Sequence, residues 1–135
     1  MTRGRPPQKA LDEALPIARA RGDLVEFVNG PPFDCDFMFV ARERFCIVRI
    51  KRTRHLWCSA EDMERQCAEG IAAFRHIRSP LYLSREIWFW STYGVFRFFR
   101  IEDAGLAELD IDGNVLAAPR PERALGKPPV SAGSG

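Results

Sequence analysis

From Gln8 to Arg21, "QKALDEALPIARAR", the apolar positions Leu11, Leu15 and Ala18 recur at helical spacing and Gly22 follows as a stop, which predicts a first helix. Pro16 falls inside it, and because proline removes a backbone donor and crowds the preceding turn, a bend is expected there. The period then shortens. "DLVEFV" (Asp23–Val28) reads as a strand closed by the turn-forming "NGPP". "DFMFVA" (Asp36–Ala41) and "FCIVRIK" (Phe45–Lys51) are two more strands, and the short "RER" between them predicts an antiparallel hairpin.

Ser59 is placed to cap a second helix by accepting a backbone N–H, with Met63, Cys67, Ile71 and Phe74 on one stripe running to Ile77. "REIWFWSTYGVFRFFRI" (Arg85–Ile101) is rich in aromatic and β-branched residues and turns at "STYG", so it predicts an aromatic hairpin. Neighbouring residues on a strand face opposite ways, so Trp88 and Trp90 cannot share a face with Phe89. Both faces of this hairpin therefore need covering, by helices, a ligand or a second copy of the chain in a homodimer. A last strand is expected at Leu106–Ile111. The order predicts an α/β (mixed α+β) domain over residues 8–112, with a central mixed sheet flanked by two helices. A basic N-terminus at 1–7 and a Pro/Gly/Ala/Ser-rich tail at 113–135 lack apolar periodicity and are expected to be disordered.

Composition narrows this little: 46% hydrophobic and 28% charged residues in 135 are those of one ordinary globular domain. A net charge of +2 excludes a strongly basic architectural binder. Its distribution says more. Arg42, Arg44, Arg49, Lys51, Arg52 and Arg54 face only Glu43 in the same stretch. Cys35, Cys46, Cys58 and Cys67 form no C-x-x-C pair, and the N-terminus leads into no apolar run, so reduced core cysteines in a cytoplasmic protein are expected rather than a zinc site. No stretch approaches the ~20 apolar residues of a membrane span.

On the strand "CIVRIK", Val48 and Ile50 point one way and Arg49 and Lys51 the other, while Asp36 opens the partner strand. This combination of an acid, a hairpin and an x-Lys strand after an opening helix resembles the PD-(D/E)XK, or restriction-endonuclease-like, superfamily. The resemblance covers about Gln8 to Trp90. The later aromatic segment is similar to small uncharacterised archaeal proteins of this general type. The resemblance implies that Asp36 is the first acid, Lys51 the lysine, and Glu13 (or Asp12) the acid of the opening helix.

Arg49 stands where the family has Glu, Asp or sometimes Gln. The family's chemistry implies Mg²⁺ held by two acids, which polarises the phosphate and its attacking water, with the lysine orienting that water or neutralising charge. A guanidinium supplies no oxygen and repels the cation: at ~4 Å and an effective dielectric near 20, each unit charge is worth roughly 4 kcal/mol. Two outcomes are left. Either a displaced acid (Glu26, Asp34 or Glu13) completes a metal site with Asp36 in an active Mg²⁺-dependent endonuclease, or catalysis is lost and Arg49, Lys51, Arg52 and Arg54 hold a DNA or RNA backbone, weakly and without reading bases. The second is expected. A protein-interaction module built on the aromatic hairpin is a reading from another class, and a solvated strand face is the plain alternative for the cations.

Overall fold

The computed structural model describes residues 8–27, 35–42, 44–78 and 80–116, with the backbone alone for 24–27. The expected disordered segments lie outside the described residues, apart from 113–116. There Val115 bridges to Leu109, so described structure runs on to Leu116.

The first helix, α1 (Gln8–Arg21), runs unbroken through Pro16, which is exposed. Its buried seam is Ala10, Ala14 and Ala18, spaced four apart, with Leu11, Leu15 and Ile17 half-buried at its flanks. The expected Leu11–Leu15–Ala18 stripe is thus displaced towards the alanines. The sheet supplies the reason: the seam packs with Phe37, Phe39 and Trp88, large rings that leave room for a methyl group.

Gly22 ends α1 and opens β1 (Gly22–Phe27) in one step. A Cβ at Gly22 would lie 2.1 Å from the Val40 carbonyl oxygen, so the close approach of the first two strands demands glycine. Then come β2 (Phe37–Ala41) and β3 (Arg44–Arg52), paired antiparallel as the sequence predicts. Ser59 does cap the next helix, its Oγ accepting the Asp62 N–H at 3.1 Å.

That helix is not continuous, and the expected two flanking helices become three. Cys67, with φ −130°, lies outside the helical basin and divides the segment into α2 (Ala60–Gln66) and α3 (Ala68–Arg75). The apolar stripe survives the break, since Met63, Cys67, Ile71 and Phe74 are all buried. Buried Arg85 closes α3: its Nη1 donates to the carbonyls of Phe74, Arg75 and Ile77, placing a cation at the negative end of the helix.

The expected aromatic hairpin is β4 (Leu83–Trp90) and β5 (Phe96–Glu102), followed by β6 (Gly105–Leu109). The described strands form one six-stranded mixed sheet in the order β1-β2-β3-β4-β5-β6, antiparallel throughout except for β3 and β4. The parallel pair is joined by α2 and α3.

Each face of the sheet has its own core. Phe37, Phe39, Val48, Ile50, Trp88, Trp90 and Phe98 pack with α1, whereas Ile47, Ile87, Phe89, Phe99 and Ile101 pack with α2 and α3. Helices of the same chain therefore cover both aromatic faces of the hairpin. No described helix is long and apolar enough to cross a membrane.

Candidate nucleic-acid interface

Because β3 and β4 are parallel, they leave the sheet at the same end, with Lys51 opposite Phe89 and Arg52 opposite Trp90. The last two residues of β3 extend beyond the buried part of the strand, and Lys51 and Arg52 are exposed. Thr53 is buried and holds the chain down. Its N–H donates to the Trp90 carbonyl at 3.0 Å, its hydroxyl donates to Gln66 Oε1 at 2.7 Å and accepts the His55 N–H at 3.0 Å. With Thr53 fixed inward, Arg52 and Arg54 on either side of it stand in solvent.

The loop that follows is tied from two further directions. Gln66 Nε2 donates to the His55 carbonyl at 3.2 Å. Buried Arg97 on β5 donates through Nη1 to the carbonyls of Leu56 (2.6 Å) and Cys58 (2.8 Å), while its Nε and Nη2 bind both oxygens of Glu108. The exposed cations are thus carried on a fixed backbone, which lowers the entropy cost of engaging a ligand.

Asp36 immediately precedes β2. Phe37, the first residue of β2, pairs with Val48, and Asp36 is bound to the same stretch of β3. Its N–H donates to the Val48 carbonyl at 2.8 Å, and its buried carboxylate accepts the Ile50 N–H through Oδ2 at 2.6 Å. One oxygen of the expected metal ligand is therefore engaged with the backbone of β3. Arg49 is half-buried and its guanidinium lies against α3: a Cβ placed on Gly70 would be 2.8 Å from Nη1. Arg49 thus turns to the α2–α3 side, the face that alternation also assigns to Lys51.

Glu13 is placed elsewhere. It sits on α1, over the opposite face of the sheet, where its Oε1 accepts the indole N–H of Trp90 at 3.0 Å. Glu26 lies in β1 with its backbone opposite Met38, but its side chain and all of Asp34 lie outside the described residues. Among the described residues, no three His, Cys, Asp or Glu side chains gather as a group able to hold a metal ion. The structure thus brings Asp36, Arg49, Lys51, Arg52 and Arg54 to one end of β2 and β3, and sets Glu13 on the α1 face, away from the face to which Arg49 and Lys51 turn.

A further polar group at the other end of the sheet carries no sequence motif. Glu86, fully buried on β4, accepts Arg21 Nη1 at 2.7 Å and Trp88 Nε1 at 2.9 Å on one oxygen. Arg21 Nη2 at 3.0 Å and Ser84 Oγ at 2.8 Å reach the other. Arg21 also lies over the rings of Phe39 and Trp88. The period-two spacing Ser84, Glu86, Trp88 was the available signal that these side chains share a face. Nearby Cys46 is pushed up to about 12, first by burial and then by the Glu86 charge, so it remains a neutral thiol. None of the four cysteines is in a disulfide; three are buried and Cys58 is half-buried.

Comparison of the chain with family models, with curated proteins and with solved structures finds no match to any of them.

Proposed function

We propose that this chain is a PD-(D/E)XK-like domain in which metal-dependent cleavage has given way to binding of a nucleic-acid phosphate backbone. Lys51, Arg52 and Arg54 make the contacts, and Arg49 contributes positive charge behind them. The observation that carries this reading is the set of exposed cations at the shared end of β3 and β4, immediately beyond Arg49. Two features support the resemblance: the order of helix, three antiparallel strands, helical connection and strand, and the parallel placement of that fourth strand.

The chemistry follows from the charges. Lysine and arginine neutralise phosphates and release condensed counterions, a driving force independent of base sequence. With arginine in the acid position, the site favours an anion over a divalent cation. Electrophoretic or anisotropy binding at low salt, comparing the intact chain with a Lys51→Ala/Arg52→Ala/Arg54→Ala variant, tests the reading. Binding of DNA or RNA that the variant largely loses is the expected result, and no binding by the intact chain refutes it. A parallel incubation with Mg²⁺ or Mn²⁺ tests the catalytic alternative: cleavage abolished by Asp36→Asn would show an active nuclease instead.

A further inference from the structure

Of the aromatic residues in the β4–β5 segment, Trp88, Phe89, Trp90, Phe98 and Phe99 are buried and Phe96 is half-buried, whereas Tyr93 is 92% exposed. The core does not use its ring. Tyr93 lies in the turn that follows Trp90, the residue registered against Arg52, and so at the same end of the sheet as Lys51, Arg52 and Arg54. Exposed Tyr82, by contrast, precedes β4 at the opposite end, where its carbonyl accepts the Phe45 N–H.

The turn that presents Tyr93 is braced. Gly94 N–H donates to the Ser91 carbonyl at 2.9 Å, Ser91 N–H to the Val95 carbonyl at 2.9 Å, and Tyr93 N–H to Ser91 Oγ at 3.2 Å. Gly94 takes φ +83°, a conformation that suits glycine. From below, Glu13 binds the Trp90 indole, and its carboxylate oxygen lies 3.2 Å from the point where a Gly94 Cβ would stand. The acid of the opening helix therefore supports the turn. Three residues of chain reach at most about 11 Å from Trp90, so Tyr93 stays within roughly one or two nucleotide lengths of the cations.

A solvent-facing ring on a fixed turn beside a basic track is the combination that binds unpaired nucleotides, with phosphates on the cations and a base stacked on the ring. Tyrosine suits the task because ordering its two side-chain torsions costs little. Bases inside a duplex are already stacked on one another and offer the ring no free face. Building on the proposed phosphate-binding role, we infer that Tyr93 stacks on an unpaired base, making single-stranded nucleic acid, or the unpaired end of a duplex, the preferred ligand of this site.

The test is fluorescence anisotropy at low salt with the full chain and labelled oligothymidylate, oligouridylate and a blunt duplex, each of about twenty nucleotides per strand. The expected result is preference for one or both single strands over the duplex. Tyr93→Ala should weaken single-strand binding by about 5- to 100-fold and leave duplex binding unchanged, while Tyr93→Phe, which keeps the ring, retains wild-type affinity. The two single-strand arms decide between DNA and RNA. If Tyr93→Ala binds single strands as tightly as wild type while the Lys51/Arg52/Arg54 variant is impaired, the stacking role is overturned and the phosphate-binding role stands. If wild type binds none of the three probes, both fall. Unchanged thermal melting of Tyr93→Ala, expected for so exposed a side chain, ensures that a lost affinity reports on the ring.

Discussion

The carboxylate of Asp36, the residue before β2, accepts the Ile50 N–H of β3 at 2.6 Å. An acid that would help hold a metal is thus engaged with the backbone. Arg49→Glu would set a second carboxylate on β3 between Val48 and Ile50, the two residues that Asp36 binds. The expected outcome is a variant about 1–3 kcal/mol less stable in urea than wild type, with its melting temperature raised by Mn²⁺ while that of wild type is unchanged. Equal responses of the two proteins to Mn²⁺ would show that residue 49 does not govern metal binding.

Glu86 and Arg21 form a bidentate pair with side chains only 1% and 7% exposed. Removing the acid leaves a buried guanidinium without its counter-charge and takes the acceptor from Ser84 and Trp88. Glu86→Ala is expected to cost about 3–5 kcal/mol in urea denaturation. A loss below about 1 kcal/mol would mean that the pair behaves like a solvated surface bridge.

Cys46 gives a pH dependence on the alkaline side. Its thiol is raised from an ordinary 9.0 to about 12 in the folded chain, so its contribution to stability is fully present below pH 9 and is lost as the pH rises towards 12. The acid side has the opposite sign. Glu64 is lowered by its bond from Arg75, and Asp110 by the backbone N–H groups of Asn114 and its neighbours. Their contributions are present above the ordinary values of 4.5 and 3.8 and are lost as the pH falls through the lower folded ones. Urea denaturation across pH reads both limbs. Alkylation of the native protein at pH 8 should modify half-buried Cys58 and spare Cys46, and prompt labelling of Cys46 would contradict its burial.

Gly22→Ala would drive a methyl carbon into the Val40 carbonyl of the neighbouring strand. Backbone cannot yield as a flexible side chain does, so a loss of about 2 kcal/mol or more is expected in thermal or urea unfolding. Near-wild-type stability would show that β1 can separate from β2 at that point.

The elements visible in the sequence were those specified locally. Ser59 carries its own capping chemistry, "STYG" its own turn, and "FCIVRIK" the alternation that separates Val48 and Ile50 from Arg49 and Lys51. The roles of the other arginines depend on distant partners and left no local trace. Arg21, Arg85 and Arg97 resemble solvent-facing charges in the sequence, yet Arg85 and Arg97 are buried and Arg21 half-buried, and they join Glu86, the end of α3, and Glu108 with the loop after β3. Glu13 shows the same limit: its partner Trp90 lies 77 residues away, so an acid that suggests a metal ligand in isolation proves to brace a turn. The Lys51–Arg54 cluster was legible because its three charges fall within four successive residues. That Thr53 turns inward, leaving Arg52 and Arg54 in solvent, is a consequence of its contacts with Trp90 and Gln66.

Phosphate binding through Lys51, Arg52 and Arg54 is tested most directly by the salt dependence of the affinity for single-stranded DNA. Each neutralised phosphate contributes about −0.7 to the slope of log K against log salt concentration, so contacts from these three side chains give a slope near −2. The Lys51→Ala/Arg52→Ala/Arg54→Ala variant should have a slope close to zero with much weaker binding. A wild-type slope near zero, or one unchanged in the variant, would contradict the assignment of phosphate binding to this end of the sheet.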